Sequence, residues 1–492
     1  MVGIAGKSKA CLDCKRRRVK CDFTAPLCLR CAKAGIRCRG YERPTIWVNR
    51  TPAQPDTTAL AAIARVRPPR GSCASSRWLH SLCQMRLQLS GAAYDITQVR
   101  AQALILLQDI YLPQPHVMED SGDPTPFSWP KAVCGMTGPS DALDHALLAL
   151  CAIQVRLSGE TSISYDETVR LYNHALGKVI HDLGSNNDET LAAIVVLSTC
   201  ELFVFSTDQS WRAHAQGISE LLRHRGVPDV PSASWRSLCV RLCVICAIAR
   251  RCSLSLAPQR WRELIGPAQS SASFPRLLDI VAEVPAIMEE THQLLSGGLP
   301  QGDFRAHDYS EMLLQNFHKL HDWRQCYQNK VESGSFSYPV LSRLVNPADD
   351  AYPDKLFPFS LKFRSITDAV TWVFCSTIML QILEAVSRLD MLDAKRSHLS
   401  LSDAAVQGSI VLASIESYAD DLARKLCQSL EYCFGIENGT FGPQGTCSTQ
   451  WALQDYFRHR GLRRECEWCE NIKDMKGPAS RCGIDLMRLG YG

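Results

Sequence analysis

The sequence predicts a mainly α protein in two unequal parts: a small cysteine-rich head at the N-terminus, joined by a Pro-rich linker to a large all-helical body. Three observations carry that reading. Six of the 23 cysteines fall within residues 11–38. Pro44, Pro52, Pro55, Pro68 and Pro69 punctuate the stretch that follows. From about residue 78 onward, apolar residues recur at the helical period, and no comparable run of alternating, strand-like residues appears. The expected boundaries are 1–43 for the head, 44–77 for the linker and 78–492 for the body.

Composition sets the frame. Of the 492 residues, 46% are apolar and 21% charged, values that exclude a disordered or collagen-like chain and allow a large buried core. The net charge of +4 conceals an asymmetry. Residues 7–43 hold twelve Lys or Arg against Asp13, Asp22 and Glu42, a local charge of +9 that leaves −5 for the rest. A short basic head on a mildly acidic body points to a polyanion as the N-terminal partner. The opening Met1-Val2-Gly3-Ile4-Ala5-Gly6-Lys7 carries no apolar run of the length a secretory signal needs, so an intracellular chain with reduced thiols is expected.

The head contains a repeat. Its cysteines follow C-x2-C-x6-C-x6-C-x2-C-x6-C, and a shift of 17 residues maps Cys11, Cys14 and Cys21 onto Cys28, Cys31 and Cys38. The same shift pairs Leu12 with Leu29, Val19 with Ile36 and Lys20 with Arg37. Each copy supplies three thiolates, whereas a structural zinc takes four ligands in a tetrahedron. Either one metal uses four of the six cysteines, or two metals share two bridging thiolates. Sharing employs every cysteine and respects the repeat, with Cys11 and Cys28 as the symmetric bridging pair. Six thiolates and two Zn(II) sum to a charge of −2, so the head stays at about +7.

Residues 11–38 resemble the Zn2Cys6 binuclear cluster domain of fungal transcription factors. The resemblance covers all six cysteines, the basic run Lys15-Arg16-Arg17-Arg18-Val19-Lys20, Asp22, and Pro26 in the loop joining the halves. It implies two Zn(II), with Cys11 and Cys28 bridging, Cys14 and Cys21 completing one site, and Cys31 and Cys38 completing the other. It also implies double-stranded DNA as partner, CGG-type half-sites and a nuclear location.

The halves differ in charge. Lys15, Arg17 and Arg18 of the first become Ala32, Ala34 and Gly35 of the second, so the first short helix is the one expected in the major groove. Arg18 lies four residues past Cys14, where the family's base-reading Lys sits, and an Arg fork matches O6 and N7 of guanine. Lys9, Lys15, Arg16, Lys20, Lys33, Arg37 and Arg39 read as phosphate contacts that fix orientation, with Arg17 in the same basic run.

In the linker, Leu60, Ile63 and Val66 amount to about one heptad before Pro68, short of a coiled coil. Any homodimer is therefore expected to form through the helical body. There, Asn186 and Glu189 read as a capping box before Leu191–Phe205, which is apolar nearly all round. Trp211, Ala215, Ile218 and Leu222 form a stripe ending at Gly226. Residues 141–226 resemble the all-helical middle homology domain of the same regulators, through Asp188-Glu189-Thr190-Leu191, Glu201-Leu202 and Trp211-Arg212-Ala213-His214. Ala369–Leu383 reads as a buried helix too short to span a bilayer, and residues 346–359 as a loop. Cys466 and Cys469 with Cys482 and His459, the trio Cys239, Cys243 and Cys246, and the pair His214 and Glu201 read as ordinary packing.

Taken together, the residues describe a sequence-specific DNA-binding regulator of RNA polymerase II genes that works with the transcription machinery and without a membrane. The residues also admit an enzyme, or a corepressor-type interaction protein, with a zinc-cluster head as targeting device. No nucleotide-binding glycine loop, H-E-x-x-H or G-x-S-x-G motif favours the enzyme, so no catalytic residue is assigned.

Overall fold

A computed structural model describes residues 11, 14, 17, 19–24, 28–36 and 38, then 73–91, 93–115, 128–160, 162–184, 187–204, 247, 273–296, 306–329, 335–350, 354–396 and 403–475. The chain separates into two compact units, Met1–Pro69 and Arg70–Gly492. In the first, one short helix is described, α1 (Leu29–Lys33). The stretch read as linker lies almost wholly outside the described residues, as do Trp211, Ala215, Ile218 and Leu222.

The second unit is helical. Its N-terminal group comprises α2 (Cys73–Leu89), α3 (Ile96–Leu106, prolonged by a π turn over Leu107–Tyr111), α4 (Trp129–Cys134), α5 (Asp141–Leu157), α6 (Tyr165–Asp182) and α7 (Asp188–Val204). Side-chain oxygens cap the starts of several of these helices. Asp95 accepts the N–H groups of Thr97 and Gln98 at 2.9 and 3.2 Å, and Ser164 that of Glu167 at 3.1 Å. Helix α5 lies at the centre of this group and packs against α2, α3, α6 and α7. Its residues Ala142 to Val155 are almost all buried.

Helix α7 shows the burial that its all-round apolar sequence predicts, with Leu191 to Leu197 and Cys200 enclosed. At its start Asn187 Oδ1 accepts the Thr190 N–H at 2.9 Å. Asn186, and with it the capping box read from the sequence, lies outside the described residues. Glu189 Oε1 accepts the Gly138 N–H at 2.9 Å, tethering the turn before α5. Glu201 is buried and takes the Tyr172 hydroxyl from α6.

The C-terminal group contains α8 (Phe274–Val281), α9 (Val284–Leu295), α10 (Ala306–Asn329), α11 (Ile366–Arg396), α12 (Asp403–Cys433), α13 (Phe441–Gln444), α14 (Cys447–Arg460) and α15 (Arg463–Glu470). Helix α11 is longer than the apolar stretch read from sequence. Ile366–Leu392 has the length and apolarity to cross a membrane, but 94% of its most apolar window is buried, packed against α10, α12 and α14.

Two strands correct the expectation of none. β1 (Ser337–Leu341) and β2 (Phe359–Phe363) pair antiparallel, with Ser337 opposite Phe363 and Leu341 opposite Phe359. Phe359, Leu361 and Phe363 do alternate, but over five residues, and Pro339 sits in the edge strand where its missing N–H is tolerated. Phe359 therefore belongs to a strand, and the loop read over 346–359 is part of the connection between the two.

The two helical groups meet through the turn 435–446. Tyr111 Oη donates to Gln444 Oε1 at 2.7 Å, Thr440 N–H to Ile110 O at 3.2 Å, and Gln114 N–H to Glu437 O at 2.8 Å. Gly439 has φ +62° and lies so close to Tyr111 that a Cβ there would stand 2.3 Å from its carbonyl oxygen. Only glycine satisfies both constraints.

Candidate metal centre and nucleic-acid interface

The internal repeat of the head is visible in its backbone. Cys11 N–H points at Cys21 Sγ at 3.4 Å, and Cys28 N–H at Cys38 Sγ at 3.5 Å, two bonds related by the 17-residue shift. Val19 N–H donates to Cys14 O and Ile36 N–H to Cys31 O, both at 3.0 Å, which is the same shift again. Each copy thus folds its returning cysteine back onto its C-x2-C turn.

All six cysteines are buried in one cluster, with Val19 packed against it. The sulfurs of Cys11, Cys14, Cys21 and Cys28 lie within 4.8 Å of one another, and so do those of Cys11, Cys31 and Cys38. Cys11 belongs to both groups. Cys14 Sγ lies 3.6 Å from Cys28 Sγ, and the sulfurs of Cys11 and Cys14 each lie 3.8 Å from that of Cys31. Two thiolates on one tetrahedral zinc, at Zn–S distances of about 2.3 Å, stand ~3.8 Å apart. These three pairs have that spacing, and Cys11 is the sulfur common to both groups, whereas Cys28 falls in the first group alone. Burial pushes the thiols of Cys11 and Cys14 up and that of Cys31 up to about 12. A metal that binds there must displace protons.

Asp22 ties the halves together. The Thr24 N–H (3.0 Å) and the Arg30 N–H (2.6 Å) hold its carboxyl down to about 2. Arg30 lies in the first turn of α1, so the acid anchors the second copy to the exit of the first. The sequence marks Asp22 as part of the motif, but nothing in it announces this bond across eight residues.

Of the DNA-contact candidates, Arg17, Lys20 and Lys33 are described, and all three are exposed. Among the described residues none of them has an ion-pair partner. Lys9, Lys15, Arg16, Arg18, Arg37 and Arg39 lie outside the described residues. On the second half α1 exposes Ala32 with Arg30 and Lys33, and Ala34 and Gly35 follow it, also exposed.

The body gathers no second metal group among the described residues. His459 Nδ1 pairs with Glu384 at 2.6 Å, while Cys469 is buried and Cys466 faces Glu470. Cys239, Cys243, Cys246, His214 and Cys482 lie outside the described residues. Beside the hairpin, Lys355 Nζ is taken by Ser342 Oγ and Leu344 O, and Glu431 Oε1 accepts the Arg343 N–H. These charged groups hold the loop between β1 and β2 in place.

Comparisons with known proteins match two families along the chain. The fungal Zn(2)-Cys(6) binuclear cluster domain matches residues 9–47, and the fungal specific transcription factor domain matches residues 116–441, about two thirds of the chain. The second match reaches far beyond residues 141–226. Curated relatives match the head over short spans. Transcriptional regulatory protein moc3 of Schizosaccharomyces pombe is 38% identical over 68 residues, 14% of this chain and 11% of that protein. Acriflavine sensitivity control protein acr-2 of Neurospora crassa is 49% identical over 37 residues, 8% of this chain and 6% of that protein. The chain thus spans about a tenth or less of the curated relatives it matches. No solved structure matches it significantly. The chain belongs to the fungal transcription factors that join a Zn(2)-Cys(6) cluster to a fungal specific transcription factor domain. Its cluster binds two zinc ions, and neither family is an enzyme.

Proposed function

We propose that the protein is a nuclear, sequence-specific DNA-binding regulator of RNA polymerase II genes, reading GC-rich CGG-type half-sites through the first half of its zinc cluster. The observation that carries this reading is the charge placed on a metal-ordered scaffold. The +9 head presents Arg17 and Lys20 to solvent on the copy whose counterpart exposes Ala34. In this reading Cys11 and Cys28 bridge the two zinc ions, Cys14 and Cys21 complete one, and Cys31 and Cys38 the other. The metals supply the fold of the head and take no part in a reaction. Arg18 reads guanine, and Lys9, Lys15, Arg16, Arg17, Lys20 and Arg37 hold phosphates.

Paired substitutions in the full chain test the readout. Arg18→Ala should cost about 1–3 kcal/mol on the best site and flatten preference at guanine. Lys20→Ala should weaken all sequences alike and lower the salt slope by about one. Equal, sequence-independent losses for both would reduce Arg18 to a phosphate contact.

One head presents a single short reading helix, too little information to select a promoter among ~10⁷ genomic positions. Two heads on paired half-sites supply the rest, and the helical body is the proposed source of self-association, since the linker lacks heptads. Sedimentation of the full chain should show a dimer at micromolar concentration or on paired-site DNA. A monomer under both conditions would leave single-site binding or a heterologous partner as the surviving options.

A further inference from the structure

The exit of the first half holds a side chain in an unfavourable place. Phe23 has φ +62°, and among the described residues it is the one non-glycine with positive φ. A bulky side chain rarely adopts that region, and strain of this kind persists where the surroundings impose it. Here Asp22 imposes it, bonding the Thr24 N–H on one side and the Arg30 N–H on the other. The strain is not offset by burial, because the ring is 54% exposed while Val19 covers the thiols.

The repeat sharpens the point. Under the 17-residue shift Phe23 corresponds to Gly40, the residue type that takes positive φ without cost. The copy without the basic run carries glycine, and the copy with it carries an aromatic ring. Arg17 and Lys20, both exposed, belong to the same copy as Phe23.

We propose that Phe23 is a DNA contact, its ring meeting a thymine 5-methyl group beside the half-site. The inference rests on the half-site reading above and adds an apolar specificity element to it. Charge selects the occupant, since a surface of this sign and density meets a polyanion. Within the major groove the thymine methyl is the apolar feature available to a side chain. The backbone that carries the ring is already fixed by the turn that Asp22 holds, so less freedom is lost on contact.

The test uses the full zinc-loaded chain and a selected duplex in which each thymine flanking the half-site is replaced singly by deoxyuridine. One replacement should weaken wild-type binding about four-fold, the value of burying one methyl group. The same replacement should leave Phe23→Gly binding unchanged. On the unmodified duplex Phe23→Gly should bind about four-fold more weakly or worse, while keeping its zinc against a chelator at least as well as wild type, because its backbone strain is gone. Wild-type indifference to every deoxyuridine would overturn the contact. So would a Phe23→Gly protein that sheds zinc faster and loses affinity equally on random DNA, since Phe23 would then be structural. Sequence-selected binding that ignores Phe23 defeats this inference alone. No sequence-selected binding at all defeats the half-site reading, and this inference with it.

Discussion

Cys28→Ala should strip both zinc ions from the full chain, whereas Cys38→Ala should leave about one. The difference follows from the assigned ligand sets. Cys28 serves both metals in the shared-thiolate arrangement, while Cys38 serves one. The sulfur spacing places Cys28 with Cys11, Cys14 and Cys21, and the backbone N–H of Cys28 faces Cys38 across the second copy. The head has few apolar residues besides its cysteines; among those described, Val19 is the one that packs on the cluster. Metal binding is therefore its folding energy, and DNA binding should vanish with Cys28→Ala. Elemental analysis after dialysis against a weak chelator measures the ratio, and equal losses from the two variants would refute a bridging Cys28. The direction with pH follows from the thiols. Burial raises those of Cys11, Cys14 and Cys31, which favours their protonated forms over the zinc-bound thiolates. Protons compete more strongly as pH falls, so zinc should be held at neutral pH and released on acidification.

Why was so much of the head legible, and so much less of the body? Metal ligation fixes residue type and spacing, so six cysteines in two copies declare both scaffold and symmetry, and the 17-residue shift reappears in the N–H···S and N–H···O bonds. The path of Asp22 to Arg30 depends on how the halves fold together, which no local pattern records. In the body, α7 and α11 were readable because their apolar character spans many turns. The β1–β2 hairpin was not, because five-residue strands give period-two alternation little length in which to stand out, and Pro339 argues against a strand unless the edge position is known. Glu189 of α7 bonds the Gly138 N–H, 51 residues away, a tertiary contact that no local pattern records.

The same long-range logic makes Asp144 the body position where a single substitution should be most damaging. Arg100 on α3 and Asp144 on α5 are 1% and 0% exposed and pair at 2.7 Å. Two further guanidinium N–H groups donate to Met136 O at 2.6 Å and Gly138 O at 3.0 Å, and Tyr94 donates to the other Asp144 oxygen at 2.8 Å. Gly138 is also the residue that Glu189 of α7 holds, so the network joins α3, α5, α7 and the turn before α5. Burial nevertheless pushes the Asp144 carboxyl above its ordinary range, against the pull of Arg100 and Tyr94. Desolvation of the carboxyl therefore works against the pair, as it does for buried ion pairs generally. Asp144→Ala removes the acid and leaves a buried guanidinium without its countercharge, which should cost about 3–5 kcal/mol in chemical denaturation followed by tryptophan fluorescence. Replacing both partners, as Arg100→Met with Asp144→Leu, removes the uncompensated charge and should restore most of that loss. Because Met136 and Gly138 then lose their donor, the double variant should still fall short of wild type by about 1–2 kcal/mol. A double variant as unstable as the single one would show that the carbonyls, and not the paired charges, carry the cost.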